Sequence, residues 1–476
     1  MTNYTNLKYK TSPLLKSFIL LLALLISFTP PTARPASAQS AVYPEYVVVS
    51  GDTLYGIALR FRTTLEDLMS LNAISLDNVL RPGDHLKIPT LEGMRGVLST
   101  DYVPLGASLS SLSRRDQSKP ADLIRLNQLT SPSELFIGRQ IVITRSADQA
   151  ASESMPSLEP GQSFLELALL SQQNPWALTR RNSLDTPLNA LPMDTYYRPS
   201  EAPSANNLAI PGVSAIVLDN LPLVQGGTYL LKLESSQPVT ISAELAGRKP
   251  VFTDVGNGRQ IALGGIWALQ EPGVYPLTIA VTTANQQTYR FDQYVIINSG
   301  NYEVDKPLEV DPATIDSDNV KAEDEVFKQL VAPVTPIQQW DGLFWSPAQD
   351  ADCIISKFGS RRTYNDDPQV FYHTGLDLGY CKGIDVFAPA KGTVVGILPN
   401  QIVRGNVIVI DHGLGVYSIY MHLSDFLVKT GDVVEPGQII GHIGNTGRST
   451  GPHLHFEIDI QGTPVNPLVW LNREFP

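Results

Sequence analysis

A gapless self-similarity at a period of 55 residues constrains the N-terminal part of this chain more than any other feature. Shifted by 55 positions, Gly106 falls under Gly51, Leu109 under Leu54, Leu126-Asn127 under Leu71-Asn72, Gly138 under Gly83, and Ile141 and Ile143 under Leu86 and Ile88. A second shift sets Gly161 and Phe164 under Gly51 and Leu54, Asn182 under Asn72 and Pro199 under Pro89, a weaker copy. A fixed period implies repeated small units rather than one continuous core. The first unit reads strand, helix, helix, strand. Thr53 or Asp52 can cap a helix whose apolar residues Leu54, Ile57, Ala58 and Phe61 fall at helical spacing. Thr64 precedes Leu65, Leu68 and Leu71, with Glu66 and Asp67 favourably placed in the first turn. The expected units are residues 46–89, 98–145 and 157–199.

The turn Gly51-Asp52-Thr53-Leu54, the pair Leu71-Asn72 and the closing Gly83-x-x-Leu86-x-Ile88-Pro89 occur in one order over about 44 residues. In this the first unit resembles a LysM domain of βααβ form. The resemblance implies binding of N-acetylglucosamine-containing glycan, with Gly51, Asp52, Thr53 and Leu54 and the loop around Asn78 and Leu80 as the groove. Such a turn caps a helix whether or not it binds sugar. Asp52 and Thr53 become Ala107 and Ser108, then Gln162 and Ser163, so the later, degenerate LysM-like units could keep the fold without the ligand.

The whole chain, 476 residues, exceeds the roughly 100–200 of a single domain, so about three or more domains are expected. Lys8, Lys10 and Lys16 precede an apolar run from Ser17 to Phe28, shorter than the roughly 20 residues that span a bilayer, and Ala36-Ser37-Ala38 follows. Residues 1–38 therefore read as a secretory signal peptide cleaved after Ala38; uncleaved, they would tether the protein to the membrane. The expected location is extracytoplasmic: secreted, cell wall or periplasm. Removing Lys8, Lys10, Lys16 and Arg34 takes the formal net charge from -12 to -16, and a chain so acidic would repel the phosphates of a nucleic-acid partner. Short β-branched runs punctuated by Gly and Pro over 209–298 suggest a small antiparallel β-sandwich, immunoglobulin-like in pattern, acting as a spacer. Residues 299–345 read as an acidic linker in which Asn319 to Leu330 could form a short helix.

Of seven histidines, His85 lies in the first unit and the other six crowd into the last 104 residues. His453-Leu-His455 begins an alternating run to Ile460, and strand residues two apart project from one face about 7 Å apart, so both imidazoles face one site. In His373-x-x-x-Asp377 a straight strand would separate the ends by about 13 Å, too far for one ion; Gly375 and Gly379 are expected to supply the bend. Two imidazoles and a carboxylate, with the fourth position open to water, fit a catalytic rather than a structural zinc site. Gly392-Thr-Val-Val395, Asn406-Val-Ile-Val-Ile410, Val416-Tyr-Ser-Ile-Tyr420 and Gln438-Ile-Ile440 favour an all-β domain over 346–476.

Phe358-Gly359-Ser-Arg361, His373-Thr-Gly-Leu-Asp377, Tyr420-Met-His422, Gly444-Asn-Thr-Gly447 and Gly451-Pro-His-Leu-His455 together resemble the lysostaphin-type zinc metallopeptidases, the family of murein hydrolase activators and peptidoglycan endopeptidases. The resemblance covers about residues 346–472. It implies His373, Asp377 and His455 as ligands of one zinc per chain and His422 and His453 as a non-ligating catalytic pair. His412 and His442, outside these motifs, read as structural. Cys353 and Cys381 could pair across the stretch that holds His373 and Asp377, or stand as two buried thiols. The fold class is thus multidomain: LysM modules, a β-sandwich spacer and an all-β peptidase domain. The implied function is hydrolysis of peptidoglycan peptides by a zinc enzyme tethered to glycan through LysM. A non-catalytic wall-binding or envelope-scaffold protein is the alternative, and the long N-terminal part could also cover the groove and regulate it.

Overall fold

The computed structural model describes residues 42–145, 151–155, 158, 161–192, 194–200, 210–365, 367 and 369–476. The signal-peptide reading of 1–38 lies outside them. Among the described residues no helix is long and apolar enough to cross a membrane.

Three consecutive segments share one element order. In the first, β1 (Glu45–Val47), α1 (Leu54–Arg60), α2 (Leu65–Asn72) and β2 (His85–Lys87) follow one another; in the second, β3 (Val97–Tyr102), α3 (Leu109–Arg115), α4 (Pro120–Asn127) and β4 (Gln140–Arg145); in the third, β5 (Ala151–Ser154), α5 (Phe164–Leu170), α6 (Pro175–Arg181) and β6 (Tyr197–Ser200). One asparagine explains much of the period. Asn72 donates to Leu68 O and Lys87 O and accepts from Lys87 N; Asn127 does the same with Leu123 and Val142, and Asn182 with Leu178 and Tyr197. The amide finishes the second helix and pins it to a strand 15 residues on, satisfying backbone groups that the helix end leaves open. Thr53, Ser108 and Ser163 cap the first helix of each segment.

The sandwich consists of β7 (Val213–Asp219), β8 (Leu223–Val224), β9 (Thr228–Ser235), β10 (Val239–Leu245), β11 (Thr253–Gly256), β12 (Arg259–Gly265), β13 (Gly273–Thr283) and β14 (Thr288–Asn298). They form two four-stranded sheets, β10-β13-β14-β8 and β11-β12-β9-β7. Alternation is visible on β10, where Ile241, Ala243 and Leu245 are buried and Thr240, Ser242 and Glu244 are exposed. Residues 299–345 are packed along the C-terminal domain. Leu308 N bonds Thr363 O, and α7 (Ser317–Leu330) buries Phe327 with Val331 against Val407, Val409, Tyr417, Ile419 and Met421.

The C-terminal domain is β throughout apart from a final short helix, α8 (Pro467–Asn472). Its strands are β15 (Ile354–Ser356), β16 (Arg361–Arg362), β17 (Phe371–Tyr372), β18 (Leu376–Leu378), β19 (Asp385–Phe387), β20 (Gly392–Gln401), β21 (Gly405–Gly413), β22 (Val416–Met421), β23 (Leu423–Phe426), β24 (Val433–Val434), β25 (Ile439–Ile443), β26 (Leu454–Ile460) and β27 (Pro464–Val465). The main sheet runs β15-β18-β26-β22-β21-β20-β24, with β27 beside β26. Along β26, Leu454, Phe456, Ile458 and Ile460 enter the hydrophobic core while His455, Glu457 and Asp459 take the opposite face, also buried. That core is shared: Leu230, Ile261 and Leu263 of the sandwich and Trp340 and Phe344 of the preceding segment belong to it.

Candidate metal centre

Strand register assembles the site. Asp377 on β18 lies directly opposite His455 on β26, and Met421, the last residue of β22, pairs with His455 from the other side, so His422 emerges beside it. His422 turns off the sheet with a left-handed φ of 64°. His453 precedes β26, bridged to Gly444. Gly375 and Gly379 have no left-handed φ; close approach is what excludes a side chain at each. A Cβ on Gly375 would stand 2.5 Å from Phe456 O and 2.8 Å from His455 Nε2, and one on Gly379 would stand 2.7 Å from Cys353 Sγ. Cys353 and Cys381 are joined by a disulfide with Cα atoms 6.1 Å apart.

Three donor atoms converge. His373 Nε2 is 2.9 Å from Asp377 Oδ1 and 3.0 Å from His455 Nδ1, and His455 Nδ1 is 2.9 Å from Asp377 Oδ1. All three residues are buried. Each imidazole is oriented through its other nitrogen: His373 Nδ1 sits 2.9 Å from Lys357 O, and His455 Nε2 2.8 Å from Glu457 Oε1. N–H donation at those nitrogens leaves a lone pair on the converging ones, as metal ligation requires. Thr374 Oγ1 donates to Glu457, and Arg362 donates to Asp377 Oδ2 at 3.0 Å.

Burial pushes the His373 pKa down. Burial alone would raise Asp377, but His373 and His455 outweigh it and hold the carboxyl well below its ordinary range. Burial would depress His455; its bonds to Asp377 and Glu457 outweigh that and raise it to about 9. His422 and His453 complete the cluster, their rings 4.9 Å apart. His422 Nδ1 bonds Thr446 O at 2.7 Å and His453 Nδ1 bonds Gly451 O at 2.7 Å; His453 Nε2 lies 3.7 Å from Asp377 Oδ1. Burial, then the His455 and His453 charges, push His422 down to about 3. His412, between Lys391 O and Ser418 Oγ, lies in the core, and His442 pairs with Asp425 and Asp385.

Residues 371–467 match the model of peptidase family M23, and residues 46–89 and 105–144 match the LysM domain. The C-terminal domain is a peptidase family M23 domain. An uncharacterized metalloprotease of Haemophilus influenzae is 40% identical over 122 residues, which is 26% of this chain and 26% of that protein. Peptidoglycan DD-endopeptidase ShyA of Vibrio cholerae is 44% identical over 115 residues, 24% of this chain and 26% of its own. The DD-carboxypeptidase/endopeptidase Mpg of Neisseria meningitidis is 46% identical over 96 residues, 20% and 22% respectively. The chain spans about a quarter of the length of the curated relatives it matches. The five residues singled out in the M23 domain from its motifs come together.

The residues singled out in the first LysM domain take individual places. Gly51 has a φ of 87°; the Asp52 carboxylate accepts from Tyr46 Oη and Val49 N; Thr53 caps α1; Leu54 is buried. Asn78 is exposed and ties its own loop by accepting from Ser75 N, and Leu80 is half-buried. Glu457 and Arg362 had not been singled out. Glu457 was within reach of the alternation, two residues past His455 on the same face of the strand; Arg362 had no such signal.

Proposed function

We propose that this protein is a zinc-dependent endopeptidase that hydrolyses peptide cross-links or stem peptides of bacterial peptidoglycan, works in the cell wall or periplasm, and is held to glycan through LysM. The convergence of His373 Nε2, Asp377 Oδ1 and His455 Nδ1, with His422 and His453 beside them, carries the reading. The relatives named as peptidoglycan DD-endopeptidases support the substrate class, and the LysM matches support the polymer; within the first of them the proposed groove is formed by the turn Gly51, Asp52, Thr53 and Leu54 and the loop of Asn78 and Leu80.

His373, Asp377 and His455 would hold one zinc. Their atoms stand 2.9–3.0 Å apart, against roughly 3.3 Å between ligands at 2.0–2.1 Å around a tetrahedral ion, so the donor set accepts zinc with a spread of about 0.3 Å. When bound, zinc lowers the pKa of water toward about 7 and polarises a carbonyl. The chain's own residues supply the proton handling. His422 is held neutral, gives Nδ1–H to Thr446 O and keeps Nε2 as an acceptor. His453, oriented by Gly451 O and Ser449 Oγ, presents its Nε2 on the same side as Asp377. Between them the two imidazoles orient and deprotonate the attacking water, stabilise the oxyanion and return a proton to the leaving amine. Purified residues 39–476 should carry about one zinc per chain, release peptide fragments from cell walls, lose that release on chelation and regain it with zinc. Native metal-free protein, or release indifferent to chelation, would sink the proposal.

A further inference from the structure

Three arginines line the groove of about 540 Å³ around the metal centre, and they differ in what neutralises them. Arg362 is paired with Asp305 and Asp377, each at 3.0 Å. Arg404 is paired with Glu323 at 3.4 Å and Asp324 at 2.6 Å. Among the described residues no carboxylate pairs with Arg448; the carboxylate charge that acts on it, Glu323, is already paired with Arg404. Its guanidinium donates to Thr314 O at 3.3 Å and lies over the Tyr364 ring, 4.6 Å from the centroid. One carbonyl and a π-face leave most of its five N–H donors without a protein acceptor, open to the groove and available to a ligand. Burial, with the Arg404 and Arg362 charges, pushes its pKa down against the opposing pull of Tyr364 and Glu323.

The backbone beneath this side chain is closely packed. Arg448 N donates to Val403 O at 2.8 Å, and Gly447, at a φ of 71°, passes so close to the β20–β21 turn that a Cβ would stand 2.3 Å from Gly405 N. The same loop bears His453, through the Gly444 bridge and the contact of Ser449 Oγ with His453 Nδ1 at 3.1 Å. The loop that carries the guanidinium is therefore also the loop that positions the reacting end of the groove.

We propose that Arg448 binds a free carboxylate of the substrate peptide and sets a preference for acidic peptides over neutral ones. A guanidinium accepts a carboxylate in bidentate fashion, and an incoming anion would supply the counter-charge that the chain gives its other two groove arginines. The inference rests on the M23 groove being the peptide site of the proposed function.

Calorimetric binding of two probes to the zinc-loaded chain tests it: a synthetic stem tetrapeptide with free carboxylates, and the same peptide with every carboxylate amidated. The wild type should bind the free acid about tenfold or more tightly. R448M should bring the two affinities together at an unchanged melting temperature and zinc content, which a residue that only clamps Thr314 would not do. If R448M does not fold, R448K, which keeps the charge but loses the fork, carries the test and should lose about threefold or more of the preference. Equal or immeasurable binding of both peptides by the wild type, or an undiminished preference in a folded variant, overturns the proposal. Hydrolysis of cross-linked muropeptides is scored separately. Cleavage without a carboxylate preference leaves the proposed function standing and removes Arg448 from it; preference without cleavage does the reverse.

Discussion

Each histidine of the proposed metal site is fixed by what its second nitrogen touches. Glu457 is the partner for His455, and it is buried, accepting from the imidazole at 2.8 Å and from Thr374. Replacing it by Gln removes the charge that favours the ligating tautomer. E457Q should weaken zinc binding about 10–100-fold, read by competition with a chromogenic chelator, while leaving the fold intact; an unchanged affinity would contradict this placement. His412 has a different job. Burial holds its pKa at about 4, below the ordinary value of 6.5. The unfolded chain therefore takes up a proton first as pH falls, so the stability that neutral His412 contributes is complete above pH 6.5 and is lost between 6.5 and about 4. The loss is on the order of 3 kcal/mol at 1.36 kcal/mol per unit. Urea titrations should show a shallower acid slope in H412Q than in wild type, and identical slopes would contradict the assignment.

At the scale of elements, the register of β18 against β26 turns two distant motifs into one site, and helix α7 holds the groove from the side. Glu323 on α7 is buried and accepts from Val403 N at 2.8 Å and Arg404 N at 3.2 Å, besides pairing the Arg404 side chain. E323A would strand two backbone donors and a charge, costing about 1–3 kcal/mol in chemical denaturation. A change below about 0.5 kcal/mol would mean that α7 is loosely held. The burial of this helix has no local signature in the sequence. His373, Asp377, His422, His453 and His455 were legible because their chemistry and spacing are local, and β26 was legible from alternation. The packing of 299–345 was hidden by its acidic composition, since one of those acids, Glu323, is spent as a buried acceptor, and its apolar anchors are few and divided, Phe327 entering one cluster and Trp340 and Phe344 another.

Over the whole molecule, the repeat was legible because one asparagine per segment performs the same task at 55-residue intervals. What no local pattern could show is that the sandwich shares its interior with the M23 domain. Leu230, Ile261 and Leu263 pack into the peptidase core, Trp470 Nε1 donates to Thr228 Oγ1, Arg248 donates to Thr463 Oγ1 and Trp267 Nε1 donates to Tyr372 Oη. Residues 210–476 should therefore melt in a single calorimetric transition, and two resolved transitions would contradict a shared core. On the proposed function, His373, Asp377 and His455 hold the metal with which His422 and His453 cut wall peptide. Digestion of defined cross-linked muropeptides by zinc-loaded protein, followed by mass spectrometry, tests it most directly. New peptide termini are expected with the wild type and none with H373A or D377A, both depleted of zinc; full cleavage by those variants, or none by the zinc-loaded wild type, would contradict that role for the site.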